Sequence, residues 1–128
     1  MNNIHPTVAI ADDHSLMRDT LVAFLINQGY NVIIQASNGQ QLLDQLSRAN
    51  SLPDLCLLDV EMPVMDGYET ASYLHEHHAS IKILASSVFY NDAKKEKMLY
   101  CGASRFISKI SNPEEWKKVL QEICPVKR

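Results

Sequence analysis

No excess of positive charge marks this 128-residue chain: Asp and Glu outnumber Lys and Arg by 15 to 12, for a formal net charge of −3. A surface of that kind does not hold nucleic-acid phosphates or anionic lipid by charge alone, so direct nucleic-acid binding is not expected. No apolar run approaches the roughly 18 residues that cross a bilayer. The opening Met1-Asn2-Asn3-Ile4-His5-Pro6 lacks a charged leader followed by an apolar core, and a cytosolic protein without membrane contact is expected. The three cysteines, Cys56, Cys101 and Cys124, are odd in number and lack metal-ligand spacing, which points to reduced, structural thiols. Internal repeats and low-complexity tracts are absent.

What is present is a single domain's worth of chain with 46% hydrophobic residues, enough to bury a core without staples. Short apolar runs alternate with longer segments of helical period, the pattern of a parallel sheet covered by helices on both faces. The runs Thr7 to Ala11, Val32 to Ala36, Asp54 to Leu58, Ile81 to Ala85 and Ser104 to Ile107 are too short for convincing helices and read as strands.

Between them, Met17, Leu21, Phe24 and Leu25 share one helical face, and Gly29 stands where that helix would end in the left-handed conformation. Asn38 caps a second helix carrying Leu42, Leu43 and Leu46, which stops before Pro53. A third helix starts near Asp66-Gly67. Asn91 or Asp92 caps a fourth, whose Lys94-Lys95-Glu96-Lys97 run reads as strongly solvated. The fifth has Asn112 as cap, Pro113 at its first position, Glu115 placed for a capping box, and Trp116, Val119, Leu120 and Ile123 on one face.

Right-handed crossovers close five such units into a doubly wound α/β sheet, with the order 2-1-3-4-5 expected. Ligands then bind at the carboxyl ends of the strands. Strand one delivers Asp12 and Asp13 there, strand three Asp59, strand four Ser86 and Ser87, and strand five Ser108 and Lys109. Three carboxylates in one crevice raise one another's pKa unless a cation sits among them. Oxygen-only ligands with room for water suit Mg²⁺, and Mn²⁺ can substitute. Asp59 is then a nucleophile towards phosphorus, with Lys109 and the Ser87 hydroxyl sharing the charge of the equatorial oxygens.

Singly, each residue has a commoner explanation. Asp13 suits a helix cap, Asp59 a strand-end turn, Lys109 a solvated surface, and His14 a capping or packing role beside the acids. In combination the segments carry more weight. Ala11-Asp12-Asp13-His14, Leu57-Leu58-Asp59-Val60-Glu61-Met62-Pro63-Val64-Met65-Asp66-Gly67, Gly102-Ala103 and Phe106-Ile107-Ser108-Lys109 together resemble the receiver domains of two-component response regulators, from Thr7 to Ile123.

That resemblance implies a flavodoxin-like fold and an aspartyl phosphate formed on Asp59. It implies Mg²⁺ held by Asp13, Asp59 and the backbone carbonyl of Glu61, with Asp12 acting largely through metal-bound water. Lys109 would pair with the phosphoryl group, Ser87 would be the switch hydroxyl in preference to Ser86, and Phe106 the switch aromatic that turns inward as the hydroxyl leaves its resting place. Ile110 departs from the family's usual proline, whose preceding peptide bond is usually cis. Phe106 keeps the ring of the usual tyrosine without its hydroxyl.

Glu61 and Phe89 are expected to line the mouth of the site and to gate water. The chain is not expected to be an enzyme beyond catalysing its own phosphorylation and dephosphorylation. A sensor histidine kinase or phosphotransfer protein is the expected donor, and homodimerisation on phosphorylation through the face of helix four, strand five and helix five is a hypothesis. Residues 1–124 are read as the receiver domain and 125–128 as a tail or the start of a linker. The Ala-Asp-Asp-His opening resembles receivers joined to helix-turn-helix DNA-binding domains of the NarL/FixJ type, which implies a piece of a transcription regulator.

Three other functions fit the topology less well. A flavin carrier needs a Ser/Thr/Gly-rich phosphate loop where Asp12 and Asp13 stand. An aspartyl phosphatase needs a second acid two residues after the nucleophile, which Glu61 imitates poorly, and a cap domain. A pseudo-receiver keeps the fold without the chemistry, yet no required residue is missing here.

Overall fold

A computed structural model describes residues 5–127 of the chain. Five strands alternate with five helices: β1 (Thr7–Ala11), α1 (Ser15–Asn27), β2 (Asn31–Ala36), α2 (Gly39–Arg48), β3 (Leu55–Asp59), α3 (Gly67–His77), β4 (Lys82–Ser87), α4 (Asp92–Tyr100), β5 (Arg105–Ser108) and α5 (Pro113–Ile123). The strands are all parallel, in the order β2-β1-β3-β4-β5. The doubly wound α/β arrangement expected from the chain's periodicity is therefore the one observed.

Strand alternation divides the core into two layers. Val8, Ile10, Leu55, Leu57, Leu84 and Ile107 pack against Leu21 and Leu25 of α1 and Trp116, Val119, Leu120 and Ile123 of α5. Ala9, Ala11, Cys56, Leu58, Ile83, Ala85 and Phe106 pack against Leu42 and Leu46 of α2, Ala71 and Leu74 of α3, and Met98 of α4. Because β3 is covered on both faces, all five of its residues are buried. Edge strand β2 is only partly covered and mixes buried with exposed positions.

Three strands sit slightly later than the apolar runs alone indicate. β3 runs through Asp59, β4 through Ser86 and Ser87, and β5 through Ser108. These polar residues remain in the ladder because their neighbours stay in register, Asp59 with Ser86 and Ser87 with Ser108. Asp54, expected to open β3, instead uses its carboxylate to accept from the Thr7 backbone N–H at 2.9 Å.

Side-chain caps define the helix starts. Asn38, Asp66, Asn91 and Asn112 each accept from the backbone N–H three residues on, at 2.8–2.9 Å. His14 caps α1 through Nδ1, at 3.2 Å from the Met17 N–H, so Asp13 is released from that duty. Gly29 comes after α1 at φ +98°, the left-handed geometry expected of it. In the same turn, the Tyr30 hydroxyl donates to the Cys124 carbonyl at 2.7 Å and fastens the end of α5 to the α1–β2 connection.

Among the described residues all three cysteines are free. Burial pushes the Cys56 thiol up to about 12, which leaves it without reactive thiolate. No helix among the described residues is long and apolar enough to cross a membrane.

Candidate functional site

The carboxyl ends of β1, β3 and β5 bring three carboxylates and one ammonium together. Asp12, Asp13 and Asp59 each offer an oxygen within 4.8 Å of the others. Lys109 reaches across from β5, its Nζ 2.7 Å from Asp12 Oδ2 and 3.1 Å from Asp59 Oδ1. Asp12, Asp59 and the Lys109 side chain are nearly inaccessible, whereas Asp13 is exposed at the rim. Lys109 is thus no surface lysine, and its placement depends on β5 pairing with β4: its backbone N–H donates to the Ser87 carbonyl at 2.9 Å.

Local bonds fix the acidic residues. The Asp12 N–H donates to Ala36 O at 3.0 Å, its carboxylate accepts from the His14 N–H at 2.9 Å, and its carbonyl accepts from Arg18 at 2.6 Å. Asp59 is backed by Gly67, where a Cβ would lie 2.3 Å from the Asp59 carbonyl oxygen. Only glycine allows α3 to start so close to that strand end. The intervening turn carries Val64 at φ +68°, with the Met65 N–H donating to Pro63 O at 2.7 Å. This is the strained form of a γ-turn, held on an exposed β-branched residue.

Burial, opposed by Lys109 and reinforced by Asp12 and Glu61, pushes the Asp59 carboxyl up to about 7. The carboxylate is therefore held near the boundary between its neutral and charged forms, and one more positive charge in the cluster tips it to the anion.

A cleft of about 330 Å³ opens above these groups, lined by Asp13, His14, Met17, Asp59, Glu61, Val88, Phe89 and Lys109. Glu61 and Phe89 thus stand at its mouth. Phe89 is 76% exposed and forms, with Val88 and Met17, the apolar part of the wall.

Ser86 and Ser87 are both buried but face different layers. Ser86 continues the alternation of Leu84 towards α1 and α5, and Ser87 that of Ile83 and Ala85 towards α4 and Phe106. The Ser87 hydroxyl lies 2.6 Å from Glu61 Oε1 and 3.2 Å from the Phe89 carbonyl. Phe106 is buried, its ring edge-on to Tyr90 at 5.6 Å between centroids, in the same arrangement in which the Ser87 hydroxyl meets Glu61. A phenyl ring carries no hydroxyl to keep wet, so burial has less to oppose it.

Lys94 was hidden in a charged run that reads as solvated. Its ammonium instead bonds the Phe89 carbonyl at 3.0 Å, Glu61 Oε1 at 3.3 Å and Ser87 Oγ at 3.4 Å. The signal was positional: a helix capped at Asn91 carries Lys94 in its first turn, directly after the strand that ends in Ser87. The Lys109–Ile110 peptide bond is trans, since no cis bond occurs among the described residues. A non-proline residue at position 110 favours trans by about 3 kcal/mol.

Comparison with known proteins agrees with this geometry. Residues 8–121 match the response regulator receiver domain family. The nitrate/nitrite response regulator NarL of Escherichia coli K12 is 36% identical over 126 residues, which cover 95% of this chain and 56% of that protein. The chemotaxis protein CheY of Bacillus subtilis is 28% identical over 91% of this chain and 92% of its own length. Among solved structures, the signal receiver domain of NarL from Mycobacterium tuberculosis superposes with a TM-score of 0.84 at 30% identity, covering 97% of this chain and 98% of that one. The chain spans about half the length of the NarL relative. Taken with the sheet order and the acidic cluster, the match over residues 8–121 shows that the chain belongs to the response regulator receiver domain family of two-component systems.

Proposed function

We propose that this domain accepts a phosphoryl group on Asp59 and relays its arrival to the β4–α4 loop and the face formed by α4, β5 and α5. The observation that carries the reading is the convergence of Asp12, Asp13 and Asp59 on Lys109, from segments as much as 97 residues apart. Such a grouping is costly to stability, because buried like charges and a desolvated ammonium are held together. It is retained where charge must be stabilised on a transferring group.

The donor set fits a hard divalent cation: all side-chain donors are carboxylate oxygens within 4.8 Å, with no nitrogen or sulfur among them. Asp13, Asp59 and the Glu61 backbone carbonyl would hold Mg²⁺ or Mn²⁺, with Asp12 acting through bound water. When bound, the ion supplies positive charge beside the phosphoryl oxygens and favours the ionised form of Asp59.

An oxygen of ionised Asp59 attacks phosphorus, a new P–O bond forms, and the bond from phosphorus to the donor nitrogen of a phosphohistidine breaks. The donor is a sensor histidine kinase or a phosphotransfer protein. Lys109, already 3.1 Å from Asp59, pairs with the arriving phosphoryl charge. Ser87 turns from Glu61 to a phosphoryl oxygen, and its position on the layer of α4 and Phe106 carries the change outward. Hydrolysis of the acyl phosphate resets the domain, so the chemistry is confined to its own side chain and turns over no external substrate.

Phosphorylation acts as a bias on an existing equilibrium rather than as a new fold. Its output is control of transcription through a DNA-binding segment elsewhere in the same protein, in line with the NarL-like sequence. Tyr90, Leu99 and Tyr100, all exposed on or beside α4, lie on the surface where phosphorylated copies would pair. Incubation with phosphoramidate and Mg²⁺ tests the reading: the parent should gain one phosphoryl mass and Asp59→Ala none. Equal labelling of both proteins would refute it.

A further inference from the structure

The Glu61 carboxylate, at the mouth of the cleft, and the Lys94 ammonium both meet the Ser87 hydroxyl. Ser87 Oγ has one proton to donate and directs it at Glu61 Oε1, 2.6 Å away. A hydroxyl donating to a carboxylate at that length makes a strong, charge-assisted bond. Lys94 stands behind it: its three contacts are Glu61 Oε1, Ser87 Oγ and the Phe89 carbonyl, at 3.3, 3.4 and 3.0 Å. Every acceptor in this set lies at the β3 end or in the β4–α4 segment, and the ammonium itself belongs to the first turn of α4.

Taking Ser87 as the switch hydroxyl, on which this step rests, we infer that Glu61 and Lys94 form a latch that holds the hydroxyl and the β4–α4 loop in the resting arrangement. Lys94 is the positioning residue. It keeps the Glu61 carboxylate over Ser87 and ties the Phe89 carbonyl to α4, without touching Asp59. Turning the hydroxyl towards a phosphoryl group on Asp59 breaks the bond to Glu61 and frees the Lys94–Glu61 pair from its third member. The resting state is thereby favoured by an interaction wholly outside the acidic cluster. The domain's readiness to switch is then set by residues 61 and 94 as well as by phosphorylation itself.

Amide resonances of residues 87–91 in the unphosphorylated, metal-free protein read this directly. Beryllofluoride with Mg²⁺, a stable stand-in for the phosphoryl group, defines the switched end of the scale in the parent. Glu61→Ala removes the charged acceptor and should move these resonances along the line towards the switched positions, a rise of about tenfold in the switched population. Lys94→Met keeps the stem and removes the charge; the pair is partly exposed, so a smaller rise of about twofold to fivefold is expected. Lys94→Arg should return the resonances to the parent positions, which a merely structural role for the side chain's stem would not require.

If the parent responds to beryllofluoride but Glu61→Ala and Lys94→Met leave these amides at the parent positions, the latch is overturned while the switch reading stands. If the parent's own loop is indifferent to beryllofluoride, Ser87 is not the switch, and the latch falls with it.

Discussion

Lys109 Nζ sits between Asp12 and Asp59, 2.7 Å from one carboxylate and 3.1 Å from the other, with under a tenth of any of the three side chains exposed. In a closed site of this kind the ammonium is a structural counter-charge before it meets any phosphoryl group. Its removal leaves two acidic groups in low dielectric without compensation.

Lys109→Met should therefore lower folding stability at pH 8 by about 3 kcal/mol, seen in urea melts. Added Mg²⁺ should recover part of the loss, because it restores positive charge to the same cluster. Stability equal to the parent's would mean that the ion pair contributes nothing.

The titration of Asp59 gives a second test. Its carboxyl keeps a proton up to about pH 7 in the folded chain, against an ordinary value of 3.8. Between those limits the folded state binds more protons than the unfolded one, so rising pH removes stability. Parent stability relative to Asp59→Asn should be greatest below pH 4, fall by roughly 2–4 kcal/mol up to pH 7 and stay level above it. Paired denaturant melts across that range check the trend; a difference independent of pH would contradict the elevated value.

Two backbone positions beside Asp59 should respond in opposite directions. Gly67→Ala places a methyl group 2.3 Å from the Asp59 carbonyl oxygen and 2.7 Å from the Val60 Cα, so it should cost about 1–3 kcal/mol. Val64→Gly removes a β-branched side chain from φ +68° at a position 81% exposed, and should raise stability by about 1 kcal/mol. Thermal melts of the two variants compare them directly.

At the cleft mouth, Phe89→Ala should shorten the life of the phosphorylated form severalfold. The ring is the largest apolar side chain lining the cleft that holds Asp59, and its loss is expected to admit water to the acyl phosphate. Decay tracked by intact mass gives the lifetime, and an unchanged value would remove Phe89 from any gating role.

Much of this architecture could be read from the residues alone. Val-, Ile- and Leu-rich runs at regular spacing and capping residues such as Asn38 and Asn112 suffice for five βα units, and the handedness of crossovers then leaves few sheet orders. Asp12, Asp13, Asp59 and Lys109 share one legible property: each stands at or just beyond the carboxyl end of an apolar run, where the topology gathers ligand-binding groups.

Strand ends were harder. Asp59, Ser86, Ser87 and Ser108 are polar, and they stay in the sheet through pairing with residues distant in sequence, which no local pattern encodes. The role of Lys94 is not legible for a related reason. A lysine in a Lys-Lys-Glu-Lys run looks solvated until the end of β4 and Glu61 are placed beside it. The edge contact of Phe106 with Tyr90 is likewise supplied by tertiary structure.

The central claim is that one particular carboxylate carries the phosphoryl group. Borohydride reduces an acyl phosphate to the alcohol, so phosphorylated protein treated with it and mapped by peptide mass should show homoserine in place of aspartate at position 59 and nowhere else. Intact aspartate at position 59 in protein that carries the label, or homoserine at position 12 or 13, would contradict the account.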